Sequence, residues 1–181
     1  SDFEANTNYL HLGYKFNPRL TLKLDYTNMQ YLARQPGGLT DAMYDQNPYQ
    51  SIRTRNYFGV SWNLIAASLD FKINESTALN SRTFTLIGSR KALGIRSIPS
   101  RVDYLSDPRD LLVDQYRNVG NETRLLTRYK LWNQPSALLI GVRAYRGYTE
   151  KTQGYGSNGS DADFVFVTDS LGLKSQYSFP S

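Results

Sequence analysis

From residue 20 to residue 27 the chain reads Leu-Thr-Leu-Lys-Leu-Asp-Tyr-Thr, apolar or aromatic at every even position and polar at every odd one. A period of two sends successive side chains to opposite faces of an extended backbone, so the run predicts a half-buried β-strand. The run Leu10-His11-Leu12-Gly13-Tyr14-Lys15-Phe16 alternates in the same way, and Asn17-Pro18-Arg19 joins the two as a tight turn. A hairpin with one apolar face follows. Within residues 56–73, Phe58, Val60, Trp62 and Leu64 share one phase, whereas Ile65, Ala67, Leu69, Phe71 and Ile73 share the other. A β-bulge near Leu64 and Ile65 is expected to restore the register. Asn74-Glu75-Ser76 then leads into a strand over residues 77–90, a second strand is expected over 122–130, and Trp132-Asn133-Gln134-Pro135 turns the chain into a third over 137–149.

Between these strands the connections alternate short and long. The long ones are residues 35–56, residues 91–114, and a stretch after Thr149 rich in Gly and Ser. In an up-and-down meander this order gathers every short turn at one end of the sheet and every long loop at the other, as in transmembrane β-barrels. Several runs reach the about 9–11 residues that a membrane-crossing strand needs, where a globular strand commonly has about 5–6. About eight strands make the smallest filled barrel, and open edges are not tolerated in lipid. The pattern therefore predicts an all-β fold, an antiparallel up-and-down meander of about 6–8 long strands cut as an arc from a larger transmembrane β-barrel. Residues 1–181 read as an internal piece of that barrel, with both ends as cuts and Ser178-Phe179-Pro180-Ser181 falling between elements.

Composition supports strands that are wet on one face. Hydrophobic residues are 40% of the 181, aromatics 13% with 14 Tyr and 8 Phe, and the mean hydropathy is −0.52. Tyr9, Tyr14, Phe16, Tyr26, Tyr31, Phe58, Trp62, Tyr129, Trp132, Tyr145 and Tyr148 fall near strand ends, where they are expected to form interfacial girdles. The net charge of +5 is spread over strands and loops with no Lys/Arg block, which argues against a nucleic-acid partner. The absence of Cys excludes disulfides and thiolate chemistry, and no run is long and apolar enough for a membrane helix.

The first long loop carries the strongest candidate chemistry. Pro36, Gly37, Gly38 and Pro48 set turns, while Gln35, Tyr44, Gln50, Arg53 and Arg55 supply donors, acceptors and fixed positive charge, a set suited to an anionic ligand. Arg53 and Arg55 sit two apart, so in extended geometry they share a side as a paired anion clamp. The plainer alternative is that they pair with Asp41 or Asp45 and hold the loop together. Arg96, Arg101, Tyr104 and Arg109 lie in the second loop. Asp107, Asp110 and Asp114 lack the spacing of a calcium loop and read as solvated loop acids. Gly154 to Ser160 is a glycine-rich surface loop without a phosphate-binding motif. His11, the one histidine, has no neighbouring nucleophile, and the chain is expected not to be an enzyme.

The segment from Tyr31 through Pro36-Gly37-Gly38-Leu39 to Asp45, then Gln50-Ser51-Ile52-Arg53, resembles the barrel of TonB-dependent outer-membrane receptors of the ferric dicitrate type. Ser89-Arg90-Lys91-Ala92-Leu93-Gly94, the stretch from Asp107 to Asn118, and the stretch from Tyr145 to Ser160 resemble other parts of the same group. The resemblance implies a barrel of about 22 strands with an N-terminal plug domain. It also implies active uptake of a ferric chelate, either ferric citrate or another siderophore, driven by the TonB complex through a plug that these residues lack. The outer membrane and its lipids are then the surroundings, with iron carried as chelated cargo and no resident cofactor. Arg53 and Gln50 match the motif most directly as ligand-binding residues, with Arg55, Gln35, Tyr44 and Arg109 beside them. The alternative is a passive porin-like channel or structural outer-membrane barrel, in which these arginines line a pore.

Overall fold

The structure, a computed structural model, describes residues 3–96, 103–167 and, as backbone, 173–180. Seven strands run in chain order: β1 (Phe3–Asn17), β2 (Leu20–Arg34), β3 (Tyr57–Lys72), β4 (Thr77–Gly94), β5 (Asp110–Leu131), β6 (Gln134–Tyr155) and β7 (Leu173–Pro180). Each pairs antiparallel with its sequence neighbour in one open sheet, ordered β1 to β7 without a crossover. The helix α1 (Asp41–Gln46) interrupts the first long loop. This is the expected meander, and the short turns all lie at one end. The strands exceed the predicted ranges, since β5 and β6 have 22 residues each. Ser178, Phe179 and Pro180 belong to β7 and face Glu150, Thr149 and Tyr148, so the expectation that this stretch falls between elements is corrected.

The tightest turn shows how the hairpins close. Leu131 pairs with Gln134, leaving Trp132 and Asn133 as the two-residue turn at φ 46° and 65°. Two positive φ angles in succession make a type I′ turn, whose twist matches that of the flanking strands.

Pairing of β3 with both neighbours is uninterrupted from Tyr57 to Lys72, so the expected bulge at Leu64 and Ile65 is absent. The change of phase in the sequence is instead a change of face. Following the cross-strand pairs, Leu12, Leu24 and Ala67 lie on one face with Leu22, Leu69 and Val142, while His11, Lys23, Asp25, Ser68, Arg82, Glu122 and Arg143 lie on the other. Beyond Leu64, towards the long loops, the assignment reverses in β1 to β3. The formerly apolar face carries Asn8, Asn28, Asn63, Gln30 and Ser61, and the formerly charged face carries Met29, Tyr31, Phe58, Val60 and Trp62. An unbroken strand keeps each residue's face, so the surroundings of the sheet must change at this level.

Buried apolar residues are few among the described residues, as expected for a single layer: Ala33, Ala66, Leu93, Ile95, Leu111 and Leu112. All but Ala66 lie at the long-loop end. In the short-turn half, Leu10, Leu12, Tyr14, Leu138, Ile140 and Val142 stay exposed on one face. The predicted girdle therefore splits. Tyr14, Phe16, Tyr26, Tyr129 and Tyr148 border the apolar face, and Trp132 stands exposed in the short turn beneath it, whereas Tyr9, Tyr31, Phe58, Trp62 and Tyr145 lie on the opposite face.

Candidate functional site

The first long loop leaves β2 through Gln35, whose N–H donates to the Asn56 carbonyl at 2.8 Å, and is pinched again where Ile52 N–H donates to the Pro36 carbonyl at 3.1 Å. Gly37 sits at φ 81°, and a Cβ there would lie 2.7 Å from the Arg53 Cγ and 3.0 Å from the Ile52 Cγ1. The Pro-Gly-Gly turn thus serves a close approach as well as a positive φ. Thr40 caps α1, its Oγ1 accepting from the Met43 N–H at 3.3 Å. The sequence signal for this unpredicted helix was Thr40 followed by Asp41 in the first turn.

Arg55 is 1% exposed and bound entirely by protein. Its Nε and Nη2 donate to the Asp103 Oδ1 at 2.9 and 2.6 Å, and Nη2 also donates to the Tyr104 carbonyl at 2.6 Å. Its Nη1 reaches the carbonyls of Leu105, Asp107 and Asn158 at 3.3, 2.9 and 3.0 Å. Arg109 is also buried. Its Nε donates to the Ser157 carbonyl at 3.0 Å, its Nη1 to the Asp161 carbonyl at 2.7 Å, and its Nη2 to the Ser157 Oγ at 2.8 Å and the Asp163 Oδ1 at 3.1 Å. Burial lowers the pKa of Arg109, the Asp163 carboxylate opposes that shift, and the nearby Arg55 charge adds to it. A guanidinium has five donors in a rigid fork, and both of these spend theirs on loop carbonyl, carboxylate and hydroxyl oxygens.

The paired clamp read from the sequence is therefore not the geometry found. Residues 54 and 55 form a bend, not extended backbone, and Arg53 and Arg55 go different ways. Arg53 is 3% exposed, packs its stem on the Gly37 turn, and donates from Nη1 to the Ile52 carbonyl at 3.3 Å. The alternative reading, that these arginines hold loops together, describes Arg55, but the partner is Asp103 in the second loop and not Asp41 or Asp45. Nothing in the sequence pairs residues 48 positions apart.

Arg53 and Gln50 line one cavity of about 480 Å³ with Arg34, Pro36, Pro48, Tyr49, Ser51 and Thr54. Its size lies within the usual range of small-molecule sites, about 300–1,000 Å³. Arg34 lies on the Tyr57 ring, 5.6 Å from its centroid, and the Tyr57 hydroxyl donates to the Ser160 carbonyl at 2.7 Å. Gln35 and Tyr44 are exposed on the same loop, as are Arg96 and Tyr104 on the second. Arg101 lies outside the described residues. Asp110 and Asp114 open β5, contrary to the expectation of solvated loop acids, and Asp114 is 1% exposed and paired with Arg90.

The three long loops are joined further by groups the sequence reading missed. The Asn56 side chain donates from Nδ2 to the Ile95 carbonyl at 3.0 Å and accepts from the Ile95 N–H at 2.9 Å. Phe164 of the third loop lies where a Cβ on Gly59 would be 3.2 Å from its ring, and the Lys91 Nζ sits 5.6 Å from the ring centroid. Among the described residues no group of acidic and histidine side chains is gathered as a metal site.

No family model matches this chain, and no curated protein matches it. Among solved structures it superposes on the ferric citrate transporter FecA in the unliganded form, with a TM-score of 0.80 and 18% identity over 97% of this chain. The match spans 25% of that chain. The sheet thus has the fold of an arc of that protein's β-barrel.

Proposed function

We propose that this chain is an arc of an outer-membrane transporter that binds a ferric chelate, ferric citrate or another siderophore, and imports it with energy from TonB through a plug domain outside these residues. The observation that carries the reading is the two-faced, single-layer sheet with every long loop at one end, on a fold like that of a ferric citrate transporter. The short-turn half meets lipid with Leu12, Leu24, Leu69 and Val142 and lines the lumen with Lys23, Arg82, Glu122 and Arg143. The reversal of faces at Leu64 and Ile65 is where the strands leave the bilayer. Iron is cargo in this reading.

The chelate is met by the first loop, with Arg53 and Gln50 in its cavity and Gln35 and Tyr44 exposed nearby. Arg55 and Arg109 are positioning residues, which fix the loops and leave the exposed side chains to contact carboxylates. A passive porin-like channel is favoured by one observation, the unlike charges spread along the lumenal face. The two readings separate on saturable binding.

The test replaces Gln35, Tyr44 and Gln50 together by Ala in the full-length protein and measures ferric citrate binding. Hydrogen bonds to a charged ligand contribute about 1.5–3 kcal/mol each, so affinity is expected to fall at least about tenfold while barrel insertion is unchanged. Unsaturable uptake in the parent protein selects the channel. Unchanged affinity in the triple variant removes the first loop from the site.

A further inference from the structure

Two charges stand apart on the lipid-facing side. In cross-strand register, Tyr26, Ile65, Thr85, Val119 and Arg146 form the last row of the apolar band, and Asn8, Asn28, Asn63, Ile87, Arg117 and Tyr148 form the next. Arg117 pairs with Tyr148 and Arg146 with Val119, so the two arginines are diagonal neighbours on β5 and β6. Such diagonal positions are roughly 7–8 Å apart, within reach of one small anion for side chains this long. From the short turns up to this level the face carries no carboxylate, in contrast to the lumenal face, where Asp25, Asp70 and Glu122 accompany the cations.

Both arginines are exposed, and neither forms an ion pair with a described residue. The neighbouring strand β7 has no acidic residue in its sequence. Glu150, farther towards the loops, already accepts from the Tyr148 hydroxyl at 3.3 Å. Aliphatic side chains below and unpaired guanidinium forks at the boundary match two parts of one anionic lipid, the acyl chains and the phosphate.

We infer that Arg117 and Arg146 form a binding site on the outer wall of the barrel for the phosphate of an anionic lipid head group, in the leaflet on the long-loop side. This rests on the membrane reading proposed above. The guanidinium planes hold the phosphate oxygens, and the acyl chains lie along Ala144, Val142 and Ile140 on β6.

The test inserts the full-length protein into nanodiscs of equimolar phosphatidylglycerol and phosphatidylcholine, releases it, and measures the retained lipids by native mass spectrometry. The parent is expected to retain phosphatidylglycerol in preference, and R117Q/R146Q to lose that preference at least fivefold. R124Q/R143Q, on the lumenal face, is the control and should keep it. Equal preference in all three proteins, or no preference in the parent, overturns the site while leaving the barrel intact. Failure of the parent to insert at all overturns the membrane reading and this site with it.

Discussion

The two halves of this sheet are made of the same strands and are stabilised in opposite ways. Towards the short turns, side chains such as Leu12, Ile140 and Val142 remain exposed on one face, and little is buried within the chain. Towards the long loops, the buried set includes Leu93, Leu111 and Leu112, and with them Arg53, Arg55, Arg109 and Asp114. One half leaves an apolar face uncovered. The other half supplies its own cover, closed by two guanidinium groups that thread three loops. Strand β3 crosses from one regime to the other at Leu64 and Ile65 without a break in pairing, so the backbone is indifferent to the change that its side chains record.

The largest expected effect breaks the loop half alone. Removing one partner of a buried, hydrogen-bonded ion pair costs about 3–5 kcal/mol, and Arg55 is such a partner, with Asp103 8% exposed opposite it. Arg55→Ala is expected to release residues 103–109 and 156–161 to protease and to hydrogen exchange while β1 to β3 near the short turns keep their protection. Loss of protection along the whole of β3 would show that the halves are one cooperative unit. The next effect tests the boundary. Arg on the lipid side costs about 2–4 kcal/mol near the bilayer midplane and about 0–1 near the interface. Leu69→Arg should therefore lower the folding stability in bilayers far more than Asn63→Arg, and equal costs would erase the boundary. The smallest effect is within the first loop. Gly37→Ala places a Cβ at φ 81° against Arg53, and about 1–3 kcal/mol of local strain should appear as faster exchange in residues 35–53 with no change in β2.

Much of the fold was legible because strand alternation, tight turns and loop lengths are local signals. The hairpin of β1 and β2, the order of the strands and the gathering of long loops at one end followed from them. The strands ran longer than expected because β5 begins with Asp110-Leu111-Leu112-Val113-Asp114, a segment whose charges read as loop until Arg90 pairs with Asp114 across β4 and β5. The phase change in β3 was read correctly and explained wrongly, as a bulge, because periodicity reports which residues are apolar and not what surrounds them. The candidate residues were only partly brought together. Gln50 and Arg53 do line one cavity, while Arg55 and Arg109 are committed to holding loops.

By itself, then, the sequence determined the strands, their order and the end of the sheet where the long loops gather, since each is set by residues within a few positions of one another. Only the tertiary structure decided that Arg55 and Arg109 hold the loops together and that Arg53 lines a cavity. Asp103, Asn158, Asp161 and Asp163 reach Arg55 and Arg109 from loops 48 or more positions away, and a guanidinium whose five donors are all taken by loop oxygens has none left for a ligand.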